Sequence, residues 1–436
     1  MAATASRRRL ISSEETLLYD RTVLPNGLRV LSSTMSHTRS VSVGIFVGAG
    51  SRYEDDALAG ASHYLEHVLF KGTEKRPEPQ LIAGAIESVG GMMNASTDRE
   101  ATIYYAKVGR AHFALALDVL ADMILHPLFT DHEVERERGV IIEELAMTYD
   151  QPDAYADLLI DATLWPGQAL GRDIGGSRES VGAISRQALI DYHAQQYVPN
   201  NTVVAVAGNY SHEEVLALVN EQMGAWKGGS PLGWEPVQAT AQDVRISIGN
   251  RKTDQAHICL AVDGISAMAP DRYSFDMMNA VMGDGMTSRL FMEIRERRGL
   301  AYEVHSSSMH YRDCGALMVY CGVDTAKAEE TIQAVLDEMS KMSEGVTQEE
   351  LARSVEYACG RLDLRLEDTR AVMSWLGGQE LLRDEVIEPD DIVAELRKVT
   401  TNQVLEAART YLKDPSYRLA VVGPYKSDAA FQKLLG

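Results

Sequence analysis

The sequence predicts an α+β fold built twice, as two homologous domains that are each a mainly antiparallel sheet packed with helices on one face. Strand-like and helix-like segments of the first half return in the same order in the second half. The separations are nearly constant, 217 positions from Thr130 to Thr347 and 215 from Tyr210 to Tyr425. A chain of 436 residues is also too long for one ordinary core.

Each pair of matching segments has its own local signal. Taken in chain order, the first pair alternates as strands do. The second pair has apolar residues at three- and four-residue steps, as amphipathic helices do. In the third pair, a threonine is followed three positions later by an acid, which is typical of a helix start. The last two pairs are a helical segment and an apolar strand-like segment that ends at a tyrosine. In chain order the pairs are Val41–Val47 with His257–Val262, Ala111–Leu125 with Ala326–Met339, Thr130–Glu133 with Thr347–Glu350, Ser185–Tyr197 with Thr400–Leu412, and Val204–Tyr210 with Leu419–Tyr425.

These pairs set the expected domain boundaries. We expect an N-terminal extension over 1–19, a first domain over 20–227, a linker over 228–240 and a second domain over 241–436. The linker prediction depends on the stretch GGSPLGWEP, which is rich in Gly and Pro. The extension has three arginines but no apolar run behind them, so it is not a secretory signal. Whether it is a transit peptide stays open.

Composition excludes several classes of protein. The net charge of −21 argues against a nucleic-acid binder, which needs a basic face. No stretch is long and apolar enough to predict a membrane span. The four cysteines all lie in the second half without metal-type spacing, so we expect them to be reduced. We therefore expect a reducing, cytosol-like compartment, such as a bacterial cytoplasm or, as the alternative, a mitochondrial matrix.

The stretch His63-Tyr64-Leu65-Glu66-His67 carries the chemistry. Two histidines four positions apart lie on the same face of a helix, where their ring nitrogens can hold one zinc ion. The acid stands just before the second histidine, which is the inverted form of the zinc-peptidase motif. The matching stretch of the second half, Ser274–Gly283, has neither histidine nor glutamate. We therefore expect about one zinc per chain, held by the first domain.

A catalytic zinc site needs a third protein ligand. The helix that begins after Thr130 is rich in glutamate, and Glu137 and Glu144 are two helical turns apart and so share a face. We expect that face, with Val140 and Ile141 between the two acids, to be partly buried. Glu143 lies about 100° round the helix and is expected to face solvent.

The stretches ASHYLEHVLFKGTEKRP, NASTDREATIYY and ERERGVIIEEL resemble the pitrilysin-type zinc peptidases, and most closely the subgroup of the mitochondrial processing peptidase β-subunit and its bacterial relatives. The resemblance extends from about Asp20 to near the C-terminus. It implies that His63, His67 and Glu144 are the zinc ligands. It also implies two catalytic residues, Glu66 as the general base and Glu137 as a second acid that supports the site.

The same resemblance implies residues that bind substrate. LFMEIRERRGLAYEVHSS resembles the family's substrate-binding signature, with Arg295 and Tyr302 at the matching positions. The resemblance implies that these two side chains complete the site from the second domain, across a chamber between the domains. Asn94 and Ala95 lie in the segment 92–105, which we predict as a strand whose edge pairs with the substrate's backbone. We expect Phe70 either to line a side-chain pocket or to belong to the core.

These inferences predict a zinc-dependent endopeptidase that hydrolyses unfolded peptides or processes N-terminal segments, without a nucleic-acid partner or a membrane span. Two alternatives stay open. Some relatives of the family are non-catalytic scaffold subunits, but these lose the motif that this chain retains. Another alternative is a partner-dependent subunit of a processing peptidase, whose partner carries a long glycine-rich loop. The chain has only MGDGMTS over 282–288, which is not such a loop. Bacterial relatives of the family commonly work as homodimers, so the resemblance leads us to expect a homodimer.

Overall fold

The strands and helices are taken from a computed structural model that describes residues 5–6, 19–238, 244–412 and 417–435. The predicted extension over 1–19, with the question of a transit peptide, lies outside the described residues except for 5–6 and Tyr19. The strands are β1 (Ala5–Ser6), β2 (Asp20–Val23), β3 (Arg29–Thr34), β4 (Ser40–Val47), β5 (Met92–Thr97), β6 (Thr102–Gly109), β7 (Thr202–Gly208), β8 (Ile246–Asn250), β9 (Gln255–Asp263), β10 (Ala301–His310), β11 (Gly315–Asp324) and β12 (Arg418–Gly423).

Helices, singly or in runs, lie between groups of these strands along the chain. The α-helices are α1 (Ala61–Leu69), α2 (Pro79–Glu87), α3 (Phe113–Leu125), α4 (Asp131–Asp150), α5 (Pro152–Leu164), α6 (Arg178–Ala183), α7 (Arg186–Gln196), α8 (His212–Met223), α9 (Arg272–Gly283), α10 (Ala328–Met342), α11 (Gln348–Leu366), α12 (Thr369–Arg383), α13 (Pro389–Lys398), α14 (Thr401–Tyr411) and α15 (Ala429–Leu435). Phe291–Arg297 forms a π-helix. Among the described residues, no helix combines the length and the apolar character that crossing a bilayer requires.

The strands form two sheets with the same topology. The first has the order β1-β2-β3-β7-β4-β6-β5, and the second has the order β10-β11-β9-β12-β8. Five strands of the first sheet, β3-β7-β4-β6-β5, therefore correspond to β8-β12-β9-β11-β10 of the second. The neighbouring strands are antiparallel except for the equivalent pairs β3 with β7 and β8 with β12, which are parallel. The predicted fold class, α+β with two mainly antiparallel sheets packed with helices, is confirmed.

The compact units of the structure are not continuous in sequence. Among the described residues, the first unit comprises 1–145, 173–235 and 362–390, and the second comprises 146–172, 236–361 and 391–436. Each unit thus contains one segment from the other half of the chain. The two exchanged segments begin at 146 and 362, which are 216 positions apart. This separation lies between the repeat offsets of 215 and 217 positions. The sequence did not indicate this exchange.

The exchanged segments explain why both sheets are covered on two faces. On β4, Val43 and Ile45 belong to one apolar cluster with α3, whereas Phe46 belongs to another with Met373 of α12. Helix α12 packs on β4, β7 and β3, and α5 packs on the equivalent strands β9, β12 and β8 of the second unit. The prediction of helices on one face only is therefore wrong, because strands buried on both sides need a second layer.

The predicted helix starts occur where the capping residues lie. Thr347 and Glu350 bond reciprocally, since the Thr347 hydroxyl accepts the Glu350 N–H at 3.2 Å and the Glu350 carboxylate accepts the Thr347 N–H at 2.8 Å. Thr400 and Gln403 form the same capping box at the start of α14. Thr130 accepts the N–H of Glu133 at 3.3 Å, so α4 begins at Asp131 as its sequence predicts.

Candidate metal centre

Helix α1 carries the histidine motif and begins at a tightly packed glycine. Gly60 has a φ of 96°, and a Cβ there would lie 2.5 Å from the carbonyl oxygen of Gly175. Glycine is favoured at such a position because it has no side chain and adopts positive φ readily. The buried carboxylate of Glu54 accepts the N–H groups of Gly60 at 2.8 Å and Ser62 at 2.6 Å. A negative charge at this helix N-terminus stabilises α1.

Helix α4 is fixed beside α1 by polar contacts and by apolar packing. The Tyr64 hydroxyl of α1 donates to the carbonyl oxygen of Val134. Val134, Ile141 and Leu145 are buried, and so is the side chain of Glu137. The two acids share a face as predicted, and Glu143 is exposed as predicted. Val140 is 38% exposed, so its predicted burial is wrong, because the buried stripe runs through Ile141 instead.

The side chains of His63, His67 and Glu144 come together in the first unit. One ligand atom from each lies within 4.8 Å of the other two, and among the described residues no other such group of His, Cys, Asp or Glu occurs. His67 Nε2 is 3.3 Å from Glu144 Oε2, and His63 Nε2 is 3.9 Å from the same oxygen. Ligands at tetrahedral corners about 2.0–2.1 Å from a zinc ion are about 3.4 Å apart. The three donors therefore fit a zinc ion.

The protonation state of His63 also fits a metal ligand. Burial, with a smaller contribution from repulsion by His67, lowers the pKa of His63 to about 4. The ring is therefore neutral near pH 7, and only a neutral imidazole offers a lone pair to a metal. The side chains of His63 and Glu144 are 23% and 45% exposed, so water can reach the cluster.

His67 is oriented by a buried carboxylate. Its Nδ1 is 3.2 Å from Glu137 Oε2, and the other carboxylate oxygen of Glu137 is 3.0 Å from Lys71 Nζ. Because Nδ1 faces Glu137, Nε2 faces Glu144 and is free to bind a metal. Carboxylates in this position fix the ring and its tautomer. Glu137 thus contacts His67 through Nδ1 and is not one of the three clustered donors.

Glu66 lies between the two histidines in sequence and is held by a contact that the motif does not contain. The Thr97 hydroxyl, at the end of β5, donates to Glu66 Oε2 at 2.6 Å. Burial raises the pKa of Glu66, while the hydrogen bond from Thr97 and attraction to His67 lower it. A carboxyl whose pKa is raised from its usual value is better suited to exchange protons near neutral pH.

The structure divides the segment 92–105 into two strands. Met92–Thr97 forms β5, Thr102–Gly109 forms β6, and a turn joins them, so the prediction of one strand is wrong. The reason is the bond between the Asp98 N–H and the carbonyl of Ala101, which closes a tight connection. Strand β5 is the edge of its sheet, as the predicted pairing with a peptide requires. Asn94 is exposed and Ala95 is buried, as alternation along a strand dictates.

Phe70 ends α1 and packs against the apolar core of the first unit. Its ring centroid lies 6.4 Å from that of the buried Tyr104. Phe70 is half-buried rather than enclosed. Of the two expectations for Phe70, the contact with Tyr104 favours a place at the margin of the core.

Arg295 and Tyr302 lie side by side in the second unit. The Arg295 guanidinium is 4.7 Å from the centroid of the Tyr302 ring and 4.9 Å from that of Phe291. Tyr302 is 78% exposed, a large fraction for an aromatic side chain. The two residues that the sequence pairs are thus in contact and accessible to a ligand.

Two residues that shape the metal centre were missed by sequence analysis. Thr97 bonds Glu66 from 31 positions away, and Glu54 caps α1 from outside the motif. The acid of Glu54 precedes a predicted helix, which is a recognisable signal. Thr97 gives no such signal, because its contact depends on how β5 packs beside α1.

Comparison with known families matches both halves of the chain. Residues 29–178 match a family described as Insulinase (Peptidase family M16), and residues 183–357 match a family described as Peptidase M16 inactive domain. The first match contains His63, His67 and Glu144. The second match contains Arg295 and Tyr302.

Bacterial relatives match over nearly their full length. A protein of Streptomyces coelicolor named as an uncharacterized zinc protease is 38% identical, with 98% of this chain and 96% of the relative covered. The zinc protease YmxG of Bacillus subtilis, also named as uncharacterized, is 35% identical over 93% of this chain and 98% of its own.

Solved structures share the fold. A protease from Helicobacter pylori superposes with a TM-score of 0.87 at 21% identity, over 94% of this chain and all of that chain. A Pseudomonas fluorescens structure titled as a peptidase M16 inactive domain gives a TM-score of 0.86 at 21% identity, covering 94% of this chain and 99% of its own. The sequence relatives and the shared fold lead to one conclusion. The chain belongs to peptidase family M16.

Proposed function

We propose that the chain is a zinc-dependent endopeptidase that hydrolyses unfolded peptides or processes N-terminal segments. The observation that carries this proposal is the donor set of His63, His67 and Glu144, with atoms 3.3 and 3.9 Å apart, close to the edges of a zinc tetrahedron. Relatives of high coverage are named zinc proteases, which supports the same metal.

Each residue of the proposed site in the first unit has a separate role in hydrolysis. His63, His67 and Glu144 would hold a zinc ion, which would supply Lewis-acid chemistry for the scissile carbonyl and for water at the site. Glu66, held by Thr97, takes a proton from the attacking water and passes it to the leaving amine. Glu137 keeps the ring of His67 oriented and is paired with Lys71.

We propose that the peptide binds along the exposed edge of β5, through backbone bonds near Asn94 and Ala95. Such strand addition gives affinity with little sequence preference, which suits unfolded substrates. Phe70 is proposed to contact a substrate side chain from the margin of the core. Arg295 and Tyr302 are proposed to bind the peptide near the scissile bond, and their support is the family signature and their exposure.

The scaffold alternative is disfavoured by the first unit. The second half matches a domain described as inactive, and among the described residues the second unit has no cluster of three metal-binding side chains. That description suits a chain with one active and one inactive domain. A scaffold chain has no use for the complete donor set beside Glu66.

The test is incubation of the purified full chain with a mixed peptide library, read by mass spectrometry. We expect cleavage that a chelator abolishes and that added zinc restores. Glu66→Gln should keep zinc and lose nearly all activity, because the amide cannot accept the proton of water. Peptides left intact by the zinc-loaded wild type, or cleaved equally by Glu66→Gln, would refute the proposal.

The assembly and compartment of the chain also stay proposals. We propose a homodimer in the cytoplasm of a bacterium. The resemblance to bacterial relatives supports the homodimer, and cysteines without a disulfide-type pattern suit a reducing compartment. Light scattering of the purified chain tests the dimer. If activity appears only after a second type of subunit is added, the chain is a partner-dependent subunit instead.

A further inference from the structure

His63 has a buried ring nitrogen without a hydrogen-bond partner. Its Nε2 faces Glu144, so Nδ1 points away from the three donors. Among the described residues, Nδ1 of His63 is buried and has no partner, whereas Nδ1 of His67 has Glu137 at 3.2 Å. A histidine that binds a metal usually donates its second N–H to a carboxylate, a carbonyl or a water. A metal-bound His63 therefore needs an acceptor for its Nδ1–H group.

A second buried group with an unused atom lies nearby, in the same unit. Asp173 Oδ1 accepts the N–H of Gly175 at 2.9 Å. Asp173 Oδ2 is buried and has no hydrogen-bond partner among the described residues. Burial raises the pKa of Asp173, and the bond from Gly175 and attraction to Arg99 only partly oppose this. A buried carboxylate with an unused oxygen is costly unless a donor reaches it.

Gly175 lies between these two groups. A Cβ at position 175 would be 3.5 Å from Asp173 Oδ1 and 3.6 Å from His63 Nδ1. Glycine has no side chain, so both polar groups flank the bare Cα of Gly175, and a water seated beyond the Cβ position, at van der Waals distance from this Cα, is close to both. Buried waters typically make about three hydrogen bonds to polar groups that lack other partners. His63 Nδ1–H would be a donor to such a water, and the Asp173 carboxylate would be an acceptor.

We propose that Asp173 is the positioning residue of His63, acting through one water held over Gly175. The ring of His63 donates from Nδ1 to the water, and the water donates to Asp173. This arrangement keeps Nε2 deprotonated and directed towards Glu144. Asp173 thus has the role for His63 that Glu137 has for His67. The inference rests on the proposed zinc centre and concerns how that centre is held.

Zinc affinity tests the inference without an activity assay. The full chain is stripped with a chelator and titrated with zinc against a chromophoric chelator. Asp173→Ala should weaken zinc binding about 10–100-fold, the usual effect of removing such a partner. Gly175→Ala keeps the carboxylate, but its methyl group would displace the bridging water, so it should weaken binding in the same direction. Its Cβ also meets Leu145 Cδ2 at 3.0 Å, the end of a flexible side chain.

Asp191→Asn is the matched control. Asp191 belongs to the same unit and is exposed, and its carboxylate accepts a hydrogen bond from the nearby Gln187 amide. We expect its zinc affinity to equal that of the wild type. Nitrogen NMR of the histidine rings adds a direct readout. The Nδ1–H of His63 should exchange slowly with solvent in the zinc-loaded wild type and faster in Gly175→Ala.

The outcomes separate this inference from the proposed function. If the wild type binds no zinc, the proposed function fails and the inference fails with it. If the wild type binds zinc and both Asp173→Ala and Gly175→Ala stay within about twofold of its affinity, the inference is wrong while the zinc centre stands. Circular dichroism checks folding. If Asp173→Ala does not fold, Asp173→Asn and Gly175→Ala decide by the same criterion.

Discussion

At the scale of single residues, side chains around α1 orient a proposed zinc ligand, His67, and the proposed base, Glu66. Glu137 directs His67, and Thr97 holds Glu66. Neither contact is made by a proposed metal donor face, yet each fixes the direction of a side chain that belongs to the proposed zinc centre. Losing such a partner typically costs 10–100-fold in metal affinity or activity, so these residues are as informative as the donors themselves.

The clustering of His63, His67 and Glu144 was predictable from sequence because helical periodicity fixes which residues share a face. His63 and His67 are one turn apart, and Glu137 and Glu144 are two turns apart on another helix. The partner of Glu66 was not predictable. Thr97 reaches Glu66 only because β5 packs beside α1, and nothing in the local pattern around Thr97 encodes that contact.

A buried histidine outside the metal centre should make stability depend on pH. Burial lowers the pKa of His193 to about 4, although its bond to the carbonyl of Ile124 raises it. As the pH falls below about 6.5, the unfolded chain takes up a proton that the folded chain refuses. The contribution of His193 to the free energy of unfolding should therefore fall by about 1.4 kcal/mol per pH unit between about pH 6.5 and pH 4. Above about pH 6.5, this contribution should not change with pH.

Thermal unfolding of His193→Gln at pH 7 and pH 5 measures this contribution. The loss of stability on acidification should be smaller in the variant than in the wild type. His132→Gln is the control, since His132 is exposed on α4. An equal loss in His193→Gln and the wild type would show that His193 titrates normally.

At the scale of elements, the exchange of α5 and α12 decides how each sheet is closed. The repeat and its order were predictable, since periodicity and capping residues recur at a fixed offset. The exchange was not predictable. An amphipathic helix has to bury its apolar face, but its sequence does not say against which sheet. Phe46 is the residue that reveals the second layer, because it faces α12 and not α3.

Two adjacent glycines of α12 test this packing. A Cβ on Gly377 would lie 2.1 Å from the ring of Phe46, whereas a Cβ on Gly378 would meet no atom within 4 Å. Gly377→Ala should therefore lower the free energy of unfolding by about 1–3 kcal/mol through overpacking. Gly378→Ala should leave it unchanged or raise it by about 0.5–1 kcal/mol, because alanine favours a helix.

Chemical unfolding of the two variants measures the difference. Both changes are made in the same helix and add the same single carbon, so helix propensity acts equally on both. Equal stability of Gly377→Ala and Gly378→Ala would mean that α12 does not pack on Phe46.

At the scale of the whole molecule, the proposed zinc ligands and the proposed substrate-binding residues belong to different units. The donors belong to the first unit, and Arg295 and Tyr302 belong to the second. Arg295→Ala and Tyr302→Phe should therefore leave zinc content and folding intact. They should cut kcat/KM by about 10²–10³-fold, the typical effect of removing a donor that stabilises the developing negative charge.

Arg297→Ala is the control for the second unit. Arg297 is exposed in the same π-helix and pairs with Glu293. Its peptide hydrolysis should match that of the wild type. If Arg295→Ala has wild-type turnover, Arg295 is a surface charge and the second unit acts only as a scaffold.

The zinc content of the purified chain, by elemental analysis, tests the central claim most directly. We expect about one zinc per chain in the wild type and in Glu143→Gln, because one cluster of three donors was found among the described residues. His63→Ala combined with His67→Ala should remove the zinc, and Glu144→Gln should lower it. Wild-type zinc in the double variant would contradict the assignment, as would loss of zinc from Glu143→Gln with retention in Glu144→Gln.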